Sequence, residues 1–542
     1  MDRRTLTLFF AAVVLLYLSS LGTMPLLEPD EARYAEIPRE MIASGDYVTP
    51  RLNGVAYLEK PPLFYWGNAL SIRLFGETEF AARFFTAAVS AAGILLTYWM
   101  GATLCGWRTG LYAAIVLSTS LYYYVIGRLN TLDMTAAVTL LLAIFPAYLY
   151  LSARRTSRVY LYLSYAGAGL AFLAKGLIGA VFPAAVISVW LVFSRRHREI
   201  GRAVSLGGIV LFLAITLPWI VLVQRDNPDF LWFFFVHEQF LRYTTKIHGR
   251  YEPFWYFLPV VLVGFIPWIA FLQRIVVAVR RSAQEFLPAD ATAFLLSWIL
   301  FVFLFFSFSK SKLVTYMTPL FPPLAVLLGR GLEIWASRED GSARCRAPLA
   351  LAAVLAAAMV FLPDAGRHHL EMREWIGVTA LPATLILSWG AVPLFVRRLG
   401  AERVVLLSFL LLALFLTSVN RPAAIYLGNY KSSKNLSLAL AASLRPGDVI
   451  VQYRTYKQGV PWYTGRRTVL VDEVGELGFG AERAKDRARY FIGEAEFERL
   501  WKSRERVFAV FGRDAMPLIR ERFPDARLLY RTDEGILIVN RS

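Results

Sequence analysis

The strongest constraint on this chain is a series of long apolar segments that recurs along its first 420 residues. Each segment has about 17–22 residues, the length of helix that crosses the hydrocarbon core of a bilayer. Hydrophobic residues make up 57% of the chain and charged residues only 18%, so a soluble fold could not cover these segments. Helices in lipid satisfy their own backbone hydrogen bonds. We therefore predict a polytopic α-helical membrane protein.

These segments predict thirteen membrane spans within a membrane domain at 1–420. The first is retained, because the apolar run after Arg4 lacks a small-residue cleavage site. Lys175-Gly176 is the short interruption between the fifth and sixth spans. The predicted spans are 5–24, 80–100, 108–126, 133–152, 159–174, 177–194, 204–224, 255–273, 291–308, 314–333, 347–362, 376–396 and 403–419.

Arginine concentrates in alternate loops between the predicted spans, as is typical of the cytoplasmic side of a membrane. The loops of opposite parity are mixed in sign, and the longest are 25–79 and 225–254. This alternation predicts a cytoplasmic N-terminus and, because the span count is odd, an outer location for the residues after 420. The net charge of +18 lies largely in the basic loops, with no aromatic-interleaved stripe. We therefore predict no nucleic-acid partner.

Residues 421–542 are richer in charge and alternate between strand-like and helix-like segments. We predict a small soluble α/β domain here. Its sequence contains neither a phosphate-cradling glycine loop nor a Cys/His metal cluster. The predicted strands are 448–453, 468–471, 506–511, 528–530 and 535–539, and the predicted helices are 484–502 and 516–523.

The first outer loop, 25–79, is the most informative segment. A loop this long is usually functional or disordered, and its many aromatic and apolar residues favour order. The parts at 33–44 and 62–75 have amphipathic helical periodicity and are predicted to lie in the membrane interface. Charged groups fixed at that depth are costly without a partner or a ligand. The acidic and basic residues of this loop are therefore candidate site residues.

Structural explanations compete with functional ones at these positions. Asp30-Glu31 could be a helix N-cap followed by an acidic first turn, and Asp133 a helix N-terminal charge. Glu59-Lys60 could form a local ion pair before a proline pair. Lys310 and Lys312 could be interfacial anchors, although positive charge on the outer side runs against the orientation rule.

The Asp-Glu pair after the first span and the block Leu58-Glu59-Lys60-Pro61-Pro62-Leu63-Phe64-Tyr65-Trp66 resemble the GT-C class of membrane glycosyltransferases. More narrowly, the chain resembles the bacterial aminoarabinose transferases and their protein-mannosyltransferase-like relatives. Val236-His237-Glu238-Gln239-Phe240 and Ser309-Lys310-Ser311-Lys312-Leu313 resemble other parts of that family. The resemblance covers essentially the whole chain. It implies the bacterial inner (plasma) membrane, with loops 25–79 and 225–254 and the domain 421–542 in the periplasm.

The resemblance implies an inverting transfer of 4-amino-4-deoxy-L-arabinose from undecaprenyl phosphate to a phosphate of lipid A. Asp30 and Asp133 are the implied catalytic carboxylates. A phosphate acceptor is already a nucleophile, so Asp30 would orient it or stabilise positive charge at the sugar. The implied substrate-binding residues, whose cations would hold the donor phosphate, are Glu31, Arg33, Tyr34, Tyr57, Lys60, Lys310, Lys312 and Tyr316.

Glu59 and His237 are implied to bind a divalent metal, with zinc preferred because imidazole and carboxylate suit it. Two ligands do not close a site, so water or donor phosphate would complete it. His248, His368 and His369 are alternative ligands. The implied partners are the lipid-linked donor, lipid A or another periplasmic acceptor, and membrane lipids, with the protein a monomer.

Two other functions compete with this one. The same fold could transfer a hexose from a polyprenyl phosphate to a protein or glycan. A lipid transporter or flippase would instead place charges near the bilayer midplane and show inverted repeats. Here the charges lie at the outer ends of the predicted spans and no repeat is evident, which favours chemistry at the membrane surface.

Overall fold

Helices form from nearly all of the apolar segments in a computed structural model that describes residues 3–241, 252–281, 286–337, 346–361 and 371–541. His248, His368 and His369 lie outside the described residues, as does part of loop 225–254. In chain order the helices are α1 (Arg3–Leu18), α2 (Asp30–Ser44), α3 (Leu63–Phe75), α4 (Glu79–Cys105), α5 (Trp107–Thr119), α6 (Leu121–Ile126), α7 (Asp133–Leu151), α8 (Val159–Lys175), α9 (Ile178–Phe193), α10 (Ile200–Ala203), α11 (Leu206–Asp226), α12 (Phe257–Gly264), α13 (Leu272–Arg281), α14 (Ala289–Phe308), α15 (Phe321–Ser337), α16 (Ala347–Phe361), α17 (Met372–Ala391), α18 (Val396–Leu399) and α19 (Ala401–Tyr430).

Six helices of the described ranges are long and apolar enough to cross a membrane. A bent pair, Phe254–Gly264 and Trp268–Arg281, adds a seventh if it counts as one span. The described residues therefore form a multi-span helical membrane protein, as predicted, and the number thirteen remains a prediction. The six are α4, α7, α11, α14, Met372–Phe395 and Ala401–Gly428, and shorter apolar helices are Arg4–Leu18, Ile178–Phe193 and Ala347–Phe361.

Two of the predicted spans contain a break in their helix. Over 255–273, the two halves of the bent pair meet at 85°, at a break that contains Pro267. Proline has no amide hydrogen with which to continue a helix. Over 108–126, α5 ends at Thr119 and α6 begins at Leu121, with Ser120 in an extended conformation. Hydropathy does not detect such breaks, because the residues on both sides are apolar.

The first outer loop is ordered, as its composition predicts. The amphipathic segments at 33–44 and 62–75 are the helices α2 and α3. Between them, β1 (Arg51–Leu52) and β2 (Val55–Ala56) form an antiparallel hairpin. Its turn residues Asn53 and Gly54 have φ values of 53° and 76°, the left-handed pair that such a two-residue turn requires. The loop therefore has its own defined secondary structure, two helices joined by a hairpin.

A mixed six-stranded sheet forms the centre of the C-terminal domain. Its order is β5-β4-β3-β6-β8-β7, in which β5, β4, β3 and β6 are parallel, and β8 is antiparallel to both β6 and β7. The domain thus has the predicted mixture of strands and helices. The strands are β3 (Val449–Tyr453), β4 (Val469–Val471), β5 (Phe491–Ile492), β6 (Val507–Phe511), β7 (Arg527–Arg531) and β8 (Ile536–Val539), and the helices are α20 (Lys434–Ser443), α21 (Gly459–Thr464), α22 (Gly478–Arg483), α23 (Arg487–Tyr490), α24 (Glu494–Lys502) and α25 (Met516–Arg522).

The single helix predicted at 484–502 is wrong because a strand divides it into α23 and α24. Residues 491 and 492 are the edge strand β5, whose register pairs Phe491 with Leu470 and Ile492 with Val471. After this strand the chain becomes helical again at α24, where the Glu496 side chain accepts a hydrogen bond from the amide of Gly493 (2.9 Å). Pairing with a neighbouring strand outweighs the local helical preference, and such long-range pairing cannot be seen from the segment alone.

The C-terminal domain packs on the outer loops through contacts that begin just after α1. The Glu28 carboxylate accepts hydrogen bonds from Ser433 Oγ (2.5 Å) and from the amides of Gln458 (3.1 Å) and Gly459 (2.9 Å). The soluble domain therefore contacts the start of the chain as well as its own linker. Further contacts of this kind are Lys434–Glu79, Arg467–Asn53 and Arg483–Asp229.

Candidate active site

A buried ion pair fixes the first turn of α2. Glu31, 2% exposed, accepts hydrogen bonds from Arg83 Nε (2.8 Å) and Nη2 (2.7 Å), and from the amides of Asn130 (2.8 Å) and Leu27 (3.1 Å). Arg83 also donates to three carbonyl groups in the segment 21–25. Both oxygens of Glu31 are engaged inside the protein. These contacts give Glu31 a structural role, and its predicted role in substrate binding stays a prediction.

Asp30, the neighbour of Glu31, presents its carboxylate to the surface. Its side chain is 60% exposed, and its Oδ1 lies 3.4 Å from Arg33 Nη2. The N-cap of α2 is Pro29, with no side-chain capping bond, so Asp30 is not an N-cap. Arg33 in turn places Nε 2.9 Å from the carboxylate of Glu476 in the C-terminal domain. The two domains together thus hold a guanidinium group beside an accessible carboxylate.

Tyr34 lies among the carboxylates that the sequence analysis singled out. Burial raises the pKa of its hydroxyl group; Arg33 lowers it, and Asp30, Asp133 and Glu59 each raise it further. Its ring packs edge-on against Phe64, with centroids 5.7 Å apart. Asp30, Glu59 and Asp133 come from three separate parts of the sequence. The fold brings the segments around Asp30 and Asp133 together, because the amide of Asn130 donates a hydrogen bond to the Glu31 carboxylate (2.8 Å).

Two more tyrosines line the same region. The hydroxyl groups of Tyr57 and Tyr65 are buried and have no hydrogen-bond partner within the described ranges. Burial raises the pKa of Tyr57, and the nearby Glu59 raises it further. A buried polar group without a partner costs about 1–3 kcal/mol. These hydroxyl groups therefore mark a place where a polar ligand group or water would be stabilised.

Lys60 lies at the centre of a charged cluster that joins the first and fourth outer loops. Its Nζ donates to the carbonyl of Glu59 (3.0 Å) and lies 3.9 Å from the Glu59 carboxylate and 3.7 Å from that of Glu238. The predicted local ion pair is therefore present, but Lys60 also meets a second carboxylate. Glu238 is buried and contacts His237 Nδ1 at 3.1 Å. The π-helical segment Trp232–Leu241 carries both residues.

The proposed metal ligands can be tested against this donor set. Within the described ranges, no group of three His, Cys, Asp or Glu side chains is arranged to hold a metal ion. His237 contacts Glu238, and the ammonium group of Lys60 lies beside Glu59, where it would repel a cation. The predicted zinc ion on Glu59 and His237 stays a prediction, and the proposed mechanism does not depend on it.

Asp133 begins α7 and forms an ion pair with Lys175, the last residue of α8. The helix N-terminal position predicted as an alternative is thus correct, yet the carboxylate has a specific partner as well. Lys175 Nζ also lies 4.9 Å from the centre of the Tyr316 ring. This arrangement brings the predicted residues Asp133 and Tyr316 together through a lysine that the sequence analysis assigned no role.

Lys310 and Lys312 have different environments, although they were predicted as a pair. Lys310 is exposed. Lys312 is buried and donates to the carbonyl of Ser309 (2.8 Å), and burial lowers its pKa. Within the described residues, no hydrogen bond or ion pair joins either of them to the Tyr34 or Lys60 clusters. Their predicted contact with the donor phosphate remains a hypothesis.

Sequence reasoning missed several members of the site. Lys175 was visible as a charge inside an apolar region, and Glu238 stands within a family-like segment. Asn68 donates to Asn130 Oδ1 (2.7 Å), tying α3 to the loop before α7. Nothing in the sequence around Glu476 indicated a site, because its contact with Arg33 forms only when the C-terminal domain packs on the first outer loop.

Buried carboxyl groups at the junction between the outer loop and the C-terminal domain make stability depend on pH. Burial raises the pKa of Glu36 to about 8 from an ordinary value of 4.5, despite two bonds of 2.6 Å from Arg39. Burial also raises the pKa values of Glu28, Glu40 and Glu476. Between pH 4.5 and 8, the Glu36 side chain therefore holds its proton in the folded state more than in the unfolded state. The stabilisation is complete below pH 4.5 and is lost as the pH rises through 8.

We expect the free energy of unfolding to fall as the pH rises from 5 to 8, and Glu36→Gln to remove part of that fall, by about 2 kcal/mol. The measurement is thermal unfolding of the purified protein in detergent at several pH values. Glu77→Gln, an exposed change in the same loop, is the matched control. An identical pH dependence in wild type and Glu36→Gln would contradict the assignment.

The helical membrane fold and this charged cluster are those of a membrane glycosyltransferase, as comparison with known families shows. Two family models match the chain: the dolichyl-phosphate-mannose-protein mannosyltransferase model over residues 59–222, and the aminoarabinose transferase C-terminal domain model over residues 436–540. The first covers Glu59, Lys60 and most of the early membrane helices. The second covers nearly all of the C-terminal domain.

Relatives that match along about nine tenths of the chain identify the family within this class of enzymes. An undecaprenyl phosphate-alpha-4-amino-4-deoxy-L-arabinose arabinosyl transferase of Aeromonas hydrophila is 30% identical, over 91% of this chain and 90% of the relative. The protein of the same name in Erwinia tasmaniensis is 32% identical, over 92% of this chain and 90% of the relative. The chain belongs to this family of aminoarabinose transferases.

A comparison with solved structures supports the same family. ArnT from Cupriavidus metallidurans, crystallised with undecaprenyl phosphate, matches with a TM-score of 0.83 at 28% identity, over 100% of this chain and 99% of that one. The archaeal oligosaccharyltransferase AglB from Archaeoglobus fulgidus matches with a TM-score of 0.51 at 13% identity, over 95% of this chain and 70% of that one. The second likeness concerns the fold alone.

Proposed function

We propose that this enzyme transfers 4-amino-4-deoxy-L-arabinose from undecaprenyl phosphate to a phosphate of lipid A. The observation that carries the proposal is similarity to the aminoarabinose transferases along the whole chain, including the domain at 436–540. That domain favours this activity over the alternative of hexose transfer to protein. The structure of a relative with bound undecaprenyl phosphate supports the carrier.

The reaction needs a single displacement at the anomeric carbon of the sugar. An oxygen of the acceptor phosphate forms the new bond while the bond to the donor phosphate oxygen breaks, and undecaprenyl phosphate leaves with the electron pair. Inversion follows, because attack and departure occur on opposite faces. Negative charge grows on the leaving phosphate and positive charge on the sugar, so the enzyme needs cations at one end and a carboxylate at the other.

The site offers both kinds of group. Lys60 Nζ lies 3.7–3.9 Å from the carboxylates of Glu59 and Glu238, and it is the first cation proposed for the leaving phosphate. Arg33 is held beside Asp30 and is the second cation. Asp30 is the accessible carboxylate that would orient the acceptor or stabilise charge on the sugar. Asp133, with Lys175, is the second substrate carboxylate of the proposal.

Topology supports a periplasmic site. Glu28, just after α1, contacts Ser433 and Gly459, which follow α19, so both ends of the membrane domain lie on the same side of the bilayer. An even number of crossings between them, added to α1, gives an odd total. An odd count is consistent with thirteen spans, a cytoplasmic N-terminus and a periplasmic C-terminal domain in the inner membrane. The proposed enzyme is a monomer; a zinc ion on Glu59 and His237 remains a hypothesis outside the mechanism.

Replacing Lys60 with methionine is expected to lower the transfer rate about 100-fold, because the leaving phosphate loses its cation while the apolar stem is retained. The assay supplies undecaprenyl phosphate-aminoarabinose and lipid A to the reconstituted enzyme, and mass spectrometry measures the modified lipid A. Arg51→Met, a change in the same loop at a partly exposed arginine paired with Asp46, is expected to stay within about twofold of wild type.

Two outcomes would count against the proposal. If wild-type enzyme left lipid A unmodified but glycosylated a protein or glycan acceptor from a hexose donor, the aminoarabinose assignment would fail. If Lys60→Met were as active as Arg51→Met, the phosphate site would be elsewhere.

A further inference from the structure

The C-terminal domain contains a crevice where open parallel α/β sheets typically bind ligands. The chain passes from β3 to β4 and β5 on one side, then returns to form β6 on the other side of β3. In such sheets the ligand lies at the carboxyl ends of the two strands where the direction reverses. Tyr453 ends β3 and Phe511 ends β6; the two residues are paired in register, and both line a cleft of about 500 Å³.

A second cleft, of about 580 Å³, adjoins the first and shares Arg513, Asp514 and Asp533 with it. We call the two together the switch-point crevice. Volumes of this size suit a small ligand or a headgroup. The crevice lies outside the cluster of Asp30, Tyr34 and Lys60, since none of those residues lines it.

The lining of the switch-point crevice combines three kinds of group. Its basic residues include Lys431, Arg513 and Arg531, all exposed, and guanidinium and ammonium groups bind phosphate. Asp514 offers acceptors for sugar hydroxyl groups. Tyr430 offers an aromatic wall. Cations, acceptors and aromatic rings together suit a phosphorylated sugar better than a simple inorganic anion.

The position of the crevice indicates that its ligand is carried by a lipid. One wall is formed by Gly428, Tyr430 and Lys431, at the end of α19, and the apolar part of that helix ends at Gly428. The amide of Glu28 donates to the carbonyl of Lys431 (2.8 Å). Asp30 follows two residues later, so its backbone lies within about 10 Å of this wall. A headgroup held here would reach the Asp30 site without leaving the membrane surface.

We propose that the switch-point crevice binds a phosphorylated sugar of the lipid acceptor, holding the part of the headgroup that is not being modified. This inference rests on the proposed function for the identity of the acceptor. The crevice would add affinity for the acceptor without contacting the reacting atoms. Its residues should therefore affect the acceptor KM and leave kcat and donor binding unchanged.

The test uses the full-length protein in detergent with the single variants Arg513→Glu and Lys431→Glu. Native mass spectrometry titrates each protein with lipid A and, separately, with phosphatidylglycerol, and a transfer assay measures KM and kcat. We expect the Kd and the KM for lipid A to rise about tenfold, because a charged contact is lost and a repulsion added. Phosphatidylglycerol and undecaprenyl phosphate should bind as they do to wild type.

The controls separate this proposal from a folding defect and from the proposed function. Arg527→Glu, an exposed change on β7 outside the crevice lining, should behave as wild type, and Arg513→Lys should retain most of the affinity. Equal loss of phosphatidylglycerol binding, or a fall in kcat at constant KM, would overturn the proposal. If wild type failed to transfer aminoarabinose, the function would fail while the lipid A titration still decided whether the crevice binds.

Discussion

Replacing Asp30 with asparagine is expected to lower the rate of sugar transfer by about 100- to 1000-fold. The side chain is 60% exposed beside Arg33, and it makes no helix cap, so its carboxylate is available to a substrate. Asparagine keeps the size and loses the charge that would orient the acceptor or stabilise positive charge on the sugar. The measurement is the initial rate at saturating donor, with undecaprenyl phosphate binding measured in parallel.

Glu77→Gln provides the matched control, because it neutralises an exposed carboxylate in the same loop. The control is expected to keep wild-type activity, and both variants should show wild-type thermal stability. An Asp30→Asn enzyme that retained more than half of the wild-type rate would remove Asp30 from the mechanism. Asp133 would then be the carboxylate to examine next.

Replacing Arg83 with methionine is expected to destabilise the protein by about 3–5 kcal/mol, which would greatly lower the yield of folded protein. Arg83 is 2% exposed and donates to Glu31 and to three carbonyl groups in the segment 21–25. Its loss leaves the Glu31 charge buried with only amide partners. The measurement is thermal unfolding, together with the fraction of monodisperse protein after purification.

The double variant Glu31→Gln/Arg83→Met distinguishes an uncompensated charge from lost packing. Removing both charges should recover part of the stability, because no buried ion is left unpaired. A double variant no more stable than Arg83→Met alone would mean that the carbonyl contacts of Arg83, and not its ion pair, fix the first turn of α2.

Hydropathy predicted the membrane domain because a helix in lipid must be apolar along its length, and the described helices follow those segments. Hydropathy did not predict the breaks at Ser120 and Pro267, because the residues on both sides of each break are apolar whether the helix continues or turns. In the C-terminal domain, strands with long buried runs were predicted well. The two-residue strand β5 was not, because it exists only through pairing with β4.

The candidate site could be predicted where charged residues occur in a segment predicted to lie at the membrane interface, because charge is costly there without a partner or a ligand. Asp30, Glu59 and Lys60 were singled out in this way, and the hydrogen bond from Asn130 to Glu31 joins their loop to the segment before Asp133. Their individual roles were less predictable. Glu31 has the same local pattern as Asp30, yet one faces Arg83 inside the protein and the other faces solvent. Adjacent residues on a helix point about 100° apart, and only the packing decides which one is buried.

The contacts of Glu28 with Ser433, Gln458 and Gly459 have a consequence for how the protein is made. The ribosome synthesises Glu28 some 400 residues before its partners. Glu28 can make these contacts, and Arg33 its contact with Glu476, only after residues 433–476 have been synthesised. The candidate site is therefore assembled from early and late parts of the chain, and we expect a chain truncated before residue 433 to lack these contacts and to transfer sugar more slowly.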